Sequence, residues 1–262
     1  MGEHHRSLTF VERRDWLRLF RSENVGPVTF FRLLERFGTP AKALEYLPSL
    51  ARQGGGKRSF TVCSVSTAER ELDALDRLGA RLIASVEDDF PAALRPLETA
   101  PVLCVRGNPS LLNADTVAIV GARNASALGR RMAKTLAIDL GEQGWVVASG
   151  MARGIDTAAH DGAMATGTIA VLAGGVDIVY PEENRGLYER LCAEGCVISE
   201  MSPGREPQAA HFPRRNRLIS GLSKGIVVVE AAPKSGSLIT ARFGLDQGRD
   251  IFAVPGSPFD PR

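Results

Sequence analysis

Apolar residues recur along this chain in two rhythms. Between residues 27 and 37 they fall at Phe30, Leu33, Leu34 and Phe37, the spacing of one helical face, with Gly38 as a stop. Thr39-Pro40 reads as an N-cap and first-turn proline, opening a second helix through Leu47. With the segment from Trp16 to Phe20, these predict a small all-α domain over residues 1–60. Gly54-Gly55-Gly56-Lys57-Arg58 reads as a linker. A Walker loop needs a glycine five positions before its Gly-Lys pair and a Ser or Thr after it, and Ala51 and Arg58 stand there instead. Ser66 and Glu69 have capping-box spacing and predict a helix with Leu72, Leu75 and Leu78 on one face, stopped by Gly79.

Beyond that helix the rhythm shortens. Two apolar strands are predicted at 81–85 and 102–105, then six apolar runs at 116–121, 145–150, 169–175, 196–201, 225–231 and 250–256. Their starts lie 24 to 29 residues apart, and the gaps read mostly as helices. Near-continuous apolarity marks strands covered on both faces. Repeated strand–helix units of this length predict an α/β, Rossmann-like, doubly wound and mainly parallel sheet over residues 61–262. In one intervening helix, Leu128, Met132, Ala133, Leu136, Ala137 and Leu140 are read as the core-facing line.

Composition changes this picture little. The 262 residues suffice for one large and one small domain, and a formal charge of +2 does not mark a nucleic-acid binder. Any such function must rest on local clusters. Cys63, Cys104, Cys192 and Cys196 form no C-x-x-C pair, and with four histidines there is no zinc set. Buried reduced thiols, no metal and a reducing cytoplasm are expected. The opening MGEHHRSLTFVERRDW has no long apolar run, so neither a secretory signal nor a membrane anchor is expected there.

In doubly wound sheets ligands sit beyond the carboxyl ends of the strands. Read there, the sequence shows Gly121-Ala122-Arg123, then Ser149-Gly150 with Arg153-Gly154-Ile155-Asp156, then Gly174-Gly175 and Tyr180-Pro181. Glu200 follows the fourth run, Glu230 and Lys234-Ser235-Gly236-Ser237 the fifth. Glycine, serine and basic residues crowd one rim, a setting for a phosphate-bearing ligand. The dinucleotide fingerprint G-x-G-x-x-G fails, because Arg123 stands two places after Gly121. No nucleotide cofactor is expected.

The densest signal is Phe212-Pro213-Arg214-Arg215-Asn216-Arg217. Residues 205–217 hold four arginines against one glutamate, a net of +3. Arginines follow phosphates, and an aromatic ring among them stacks on unpaired bases. A surface helix with solvated arginines and Phe212 in the core fits the same pattern, and these residues do not choose between the two. Asp156 and His160, four apart, lack a third ligand and read as structural, with Asp156 as a capping residue near Gly154. Glu200 and Glu230 fit either of two roles: orienting the rim arginines, or sharing acid and base work in a phosphoribohydrolase-like enzyme. The Pro-Gly-Gly-x-Gly-Thr loop of such enzymes is absent from the sequence. A third reading makes the N-terminal helices, with Gly26-Pro27 between two of them, a docking module or a helix-hairpin-helix contact.

Val117 to Arg123, Ala148 to His160, Tyr180-Pro181-Glu182-Glu183-Asn184, Phe212-Pro213-x-Arg215-Asn216-Arg217-Leu218-Ile219-Ser220-Gly221-Leu222-Ser223 and Ser235 to Ala241 closely resemble the DprA/Smf (DNA-processing A) family, from about residue 80 onward. The resemblance implies a Rossmann-like domain that binds single-stranded DNA without sequence preference and is not an enzyme. It implies a homodimer that helps load the RecA recombinase during natural transformation, and a sterile-alpha-motif-like domain at the N-terminus. It places DNA contacts at Gly121, Ala122, Arg123, Phe212, Arg215, Asn216 and Arg217, to which Arg153, Arg214, Lys234, Ser235, Gly236 and Ser237 are added from their rim positions. Some relatives carry a lysine shortly before the phenylalanine, where this chain has Gln208-Ala209-Ala210-His211. Relatives usually continue past the equivalent of Phe259 to Arg262, often into a winged-helix domain.

Overall fold

The computed structural model describes residues 7–53, 61–98, 100–233 and 235–256. The 54–58 linker, Lys234 and the segment 259–262 lie outside the described residues. Helix α1 (Phe10–Arg21) opens with a capping box in which Thr9 and Glu12 exchange side-chain and backbone hydrogen bonds. α2 (Pro27–Phe37) starts on Pro27 and ends at Gly38, whose φ is 79°. α3 (Pro40–Gln53) runs through Pro48 instead of stopping at Leu47. α4 (Val65–Arg77) corrects the predicted capping box. Its N-cap is Ser64, which accepts from the Thr67 N–H at 3.1 Å, two residues before Ser66. Glu69 is turned elsewhere, accepting from Arg14 of α1 at 3.2 Å.

The chain then forms β1 (Ala80–Ala84), β2 (Val102–Gly107), β3 (Thr116–Gly121), α5 (Ala127–Glu142), β4 (Val146–Ser149), α6 (Ile155–Ala163) and β5 (Thr168–Val171). α7 (Arg185–Glu194), β6 (Cys196–Ser199), α8 (His211–Leu222), β7 (Gly225–Val229), α9 (Gly236–Asp246) and β8 (Asp250–Ala253) complete it. All six predicted runs contribute strands. They form one eight-stranded sheet of order β1-β2-β6-β5-β4-β3-β7-β8. β3 to β8 are parallel, while β1 and β2 extend the β6 edge antiparallel. The winding moves outward from β3 through β4 to β6, then returns to set β7 against the other side of β3. The crevice therefore lies between the carboxyl ends of β3 and β7. The run 169–175 leaves the sheet after Val171 because Gly175 donates to the Arg205 carbonyl at 2.9 Å instead of a strand.

One apolar layer joins alternate strand residues such as Ala118, Val120, Ile169, Val171, Ile226 and Val228 to Leu218, Ile219 and Leu222 of α8. The opposite layer joins Ile119, Val147 and Val229 to α5 and α6. Here the α5 expectation holds for Ala133, Leu136, Ala137 and Leu140, which pack into or against this layer, and is corrected for Leu128 and Met132, which are exposed. The buried stripe is Gly129, Ala133, Ala137 and Gly141, while Leu128 is 72% exposed. A Cβ on Gly162 of α6 would stand 2.5 Å from the Lys134 carbonyl of α5, so the two helices meet backbone to backbone and only small residues fit between. The N-terminal helices build a further core around Trp16, Leu17, Leu19 and Phe30, continuous with Leu82, Ala84, Val102 and Cys104 of the antiparallel edge and with Val176 beyond β5. That contact sets the end of α1 beside the carboxyl rim at β6.

All four cysteines are free thiols. Burial pushes Cys104 and Cys196 up to about 12, which leaves both unreactive. Among the described residues no helix is long and apolar enough to cross a membrane, and no group of three His, Cys, Asp or Glu side chains lies together.

Candidate nucleic-acid interface

Four helices begin at the carboxyl rim near the crevice, and they differ in who occupies their N-termini. At α5 the anion is internal. Ser126 accepts from the Gly129 N–H at 2.9 Å, and the Glu230 carboxylate takes the Ser126 N–H at 2.8 Å and its hydroxyl as well. Glu230 reaches there from the first position after β7 with a φ of 52°, a strained value for a residue with a side chain. Gly129 leaves the space, since a Cβ there would sit 2.5 Å from the carboxylate carbon. Replacing Glu230 by Ala uncovers the Ser126 cap, and a stability loss of about 1–2 kcal/mol is expected in urea denaturation; an unchanged midpoint would show the cap to be dispensable.

At α6 the internal anion is Asp156, whose carboxylate accepts from the Gly150 and Ala152 N–H groups at 3.1 and 3.2 Å. It thus caps the loop after β4 and not the turn at Gly154. Asn184 holds the same loop by donating to the Met151 carbonyl at 2.9 Å. α8 and α9 carry no side-chain cap among the described residues: their N-cap positions are Ala210 and Ser235, and the Ser235 hydroxyl pairs with that of Ser237 at 2.8 Å. The first N–H of α8, that of His211, donates to the Gln208 carbonyl at 2.8 Å and Pro213 has none, so it is chiefly the positive dipole ends of the two helices that face an incoming anion.

The predicted site residues divide by depth. Arg123 is exposed, its guanidinium 5.4 Å from the centre of the Phe212 ring. Tyr180, half exposed, packs tilted against Phe212, its ring centroid 5.5 Å from that of Phe212. Gly121 and Ala122 lie beneath, the Ala122 carbonyl accepting from Ile155 at 3.2 Å, which ties the Arg123 turn to α6. Arg214 is exposed. Arg153 is exposed but paired with Glu183 at 2.6 Å. Tyr180 is the contact that residue-by-residue reading missed; its place beside Pro181 and Asn184 was the signal.

Arg215 and Asn216 point inward. Arg215 is 7% exposed and donates to the Gly150 carbonyl at 2.6 Å and to the Val171 carbonyl. Asn216 accepts from Arg215 Nε at 3.2 Å and donates to the Gly236 carbonyl at 3.1 Å, joining α8 to the start of α9. Arg217 is half-buried and paired with Glu200. Helix α8 thus matches neither sequence alternative as a whole: its aromatic residue stands at the rim and its central arginine lies in the interior.

His160 is buried beneath this layer, 2.7 Å from the Thr168 hydroxyl. That hydroxyl spends its proton on the Val147 carbonyl at 2.7 Å, so His160 must donate through Nδ1 and leave Nε2 bare. Burial first, then the Arg215 charge, pull its pKa down to about 3. The unfolded chain takes up this proton below about 6.5 and the folded chain does not. Stability from His160 is therefore complete above pH 6.5 and is lost as pH falls toward 3. His160→Gln should flatten that acid limb in denaturation curves between pH 7 and 4; an unchanged limb would assign it elsewhere.

The family model for DNA recombination-mediator protein A matches residues 81–262, and that for the DprA-like N-terminal HHH domain matches residues 11–74. DNA processing protein DprA of Bacillus subtilis is 43% identical over 196 residues, covering 73% of this chain and 66% of that protein. Protein Smf of Escherichia coli is 40% identical over 259 residues, covering 96% of this chain and 68% of its own length. The chain thus spans about two-thirds of these relatives. The X-ray structure of DNA processing protein A from Streptococcus pneumoniae superposes with a TM-score of 0.77 at 31% identity, covering 97% of this chain and 89% of that one. A structure concerning the single-stranded DNA binding mode of DNA processing protein A from Helicobacter pylori gives a TM-score of 0.63 at 29% identity, over 69% and 83% of the two chains. A parallel sheet with this rim, led by a helical domain and matched by both family models, makes the chain a member of the DNA recombination-mediator protein A family.

Proposed function

We propose that the carboxyl rim binds single-stranded DNA without sequence preference and without covalent chemistry, as part of DNA processing in natural transformation. The observation that carries this reading is the Arg123–Phe212–Tyr180 cluster standing on the rim where α8 and α9 have no side-chain N-cap. Phosphates have arginines and backbone N–H groups to meet, and unpaired bases have exposed aromatic edges and faces. The Helicobacter pylori relative, whose structure concerns single-stranded DNA binding, supports the assignment.

An enzymatic role for Glu200 and Glu230 is disfavoured by their partners. Glu200 is engaged by Arg217 and Glu230 by the α5 cap, so neither is poised as a paired acid and base. Family membership supports the remaining parts of the proposal: assembly as a homodimer, cooperation with the RecA recombinase, and a cytoplasmic location. No cofactor or metal enters this scheme.

The test is a fluorescence titration of one labelled oligonucleotide, single-stranded and as duplex, at several salt concentrations. Tighter binding of the single strand, indifferent to its sequence and weakening as salt rises, is the expected result. Equal affinity for both forms would overturn the reading, and release of free base from nucleoside monophosphates would replace it with the hydrolase.

A further inference from the structure

Among the rim arginines, Arg217 is held in an unusual way. It projects from α8 toward Glu200, the first residue after β6, and its Nη2 donates to Glu200 Oε2. An arginine and a carboxylate that pair fully do so through two parallel hydrogen bonds. Here Arg217 Nη1 and Glu200 Oε1 are both buried and have no hydrogen-bond partner among the described residues. The pair is made on one side only. Each orphaned atom has lost water without gaining a partner, which makes the inward position of the guanidinium shallow.

The surroundings let the carboxylate lose this partner. Besides Arg217, the charged groups acting on Glu200 are Arg214 from the same helix and Arg21 from the end of α1. Arg21 is paired with Glu71 of α4 at 2.8 Å. The nearby Cys104 of β2 stays a neutral thiol. Two arginines from two elements would continue to offset the Glu200 charge after Arg217 left it.

We propose that Glu200 is a positioning residue that parks Arg217 inside the rim, and that a DNA phosphate takes the guanidinium over when a strand docks. This rests on the single-stranded-DNA reading above. A phosphate offers Arg217 two acceptor oxygens in the fork geometry that Glu200 does not complete. The rim thus presents fewer free cations to competing anions than it brings to the strand. Burial raises the Glu200 pKa, while Arg217 and then Arg21 and Arg214 oppose that rise. Protonation of Glu200 loosens its hold, so affinity should increase as pH falls.

The experiment is a double-substitution cycle with Glu200→Gln and Arg217→Gln, read by titration with a fluorescent single strand and run at several salt concentrations and from pH 8 to 5.5. Glu200→Gln is expected to bind several-fold more tightly than the natural protein, but only while Arg217 is present. Arg217→Gln is expected to lower the salt slope by about 0.7, one phosphate contact, in either background. The pH profile supplies a readout that a merely structural role would not move. His211, whose pKa is lowered by burial and then by Arg205 and Arg214, contributes equally to both profiles. Glu200→Gln should therefore lack the part of the acid-side gain that the natural protein shows beyond His211. Equal tightening in the Arg217→Gln background would reduce Glu200 to a general repulsive charge and overturn the proposal. Weaker binding by Glu200→Gln would overturn it too, showing that the carboxylate holds Arg217 in its DNA-binding pose. If the natural protein binds no single strand, the functional reading fails first and this proposal with it; if it binds and the cycle shows no coupling, only this proposal fails.

Discussion

Replacing Arg215 by Ala is expected to cost about 3–5 kcal/mol of folding stability, the range for leaving a buried charge without its compensating charge. Its guanidinium lies under the rim, where it serves the carbonyls that end β4 and β5 and the side chain of Asn216. Asp156, equally buried, balances its charge and in turn holds the Gly150 and Ala152 N–H groups. Burial, helped by Arg123 and opposed by Asp156, lowers the Arg215 pKa only to about 10, so the residue is charged at neutral pH. Truncation leaves two strand-end carbonyls without a donor and Asp156 without its counter-charge. A domain of this size has only about 5–15 kcal/mol in reserve, so the loss should show as a large fall in the urea midpoint. Asp156→Asn should be destabilising as well, and the double variant should lose less than the two single losses together. An Arg215→Ala protein with the natural midpoint but weakened DNA binding would make Arg215 a direct contact instead of the support under one.

That inward arginine marks the limit of what could be read along the chain. Strands were legible because a strand covered on both faces must be apolar throughout, and six such runs stood at regular spacing. Their order was not, because the return from β6 to β7 beside β3 is decided by packing between residues far apart in sequence. Nor was the antiparallel edge, since β1 and β2 carry the same kind of apolar run as the parallel strands. In α5, large side chains were a poor guide to the buried face, because close approach to α6 admits glycine and alanine and turns Leu128 outward.

At the site, residue type announced the chemistry but not its depth. Four arginines between 205 and 217 read as one cationic face. On α8, however, neighbouring positions point in very different directions, so Arg214 faces solvent while Arg215 meets strand-end carbonyls. Glu230 illustrates the converse. Its left-handed backbone directs the carboxylate to α5, and nothing in a local stretch of Val229-Glu230-Ala231 announces that conformation. The rim motif was visible as glycines and serines; which helix N-termini were already occupied by the protein's own carboxylates was not.

Arg123 and Phe212 should behave in the opposite way to Arg215, with affinity lost and stability kept. Phe212→Ala removes the ring that contacts both Arg123 and Tyr180, and a loss of about 1–3 kcal/mol in binding a single strand is expected from stacking alone. Arg123→Ala should weaken binding to all sequences alike and lower the salt slope by about 0.7, as for one phosphate contact. Because the ring is also the platform on which the Arg123 guanidinium rests, the double variant should lose less affinity than the two single losses combined. Arg123 is exposed, and its removal should change stability by no more than about 0.5 kcal/mol. Titrations with oligo-dT, oligo-dA and a mixed sequence, beside urea curves for each variant, separate the two effects. Full affinity in the double variant would move the strand off this stack, whereas loss confined to one sequence would turn a backbone contact into base readout.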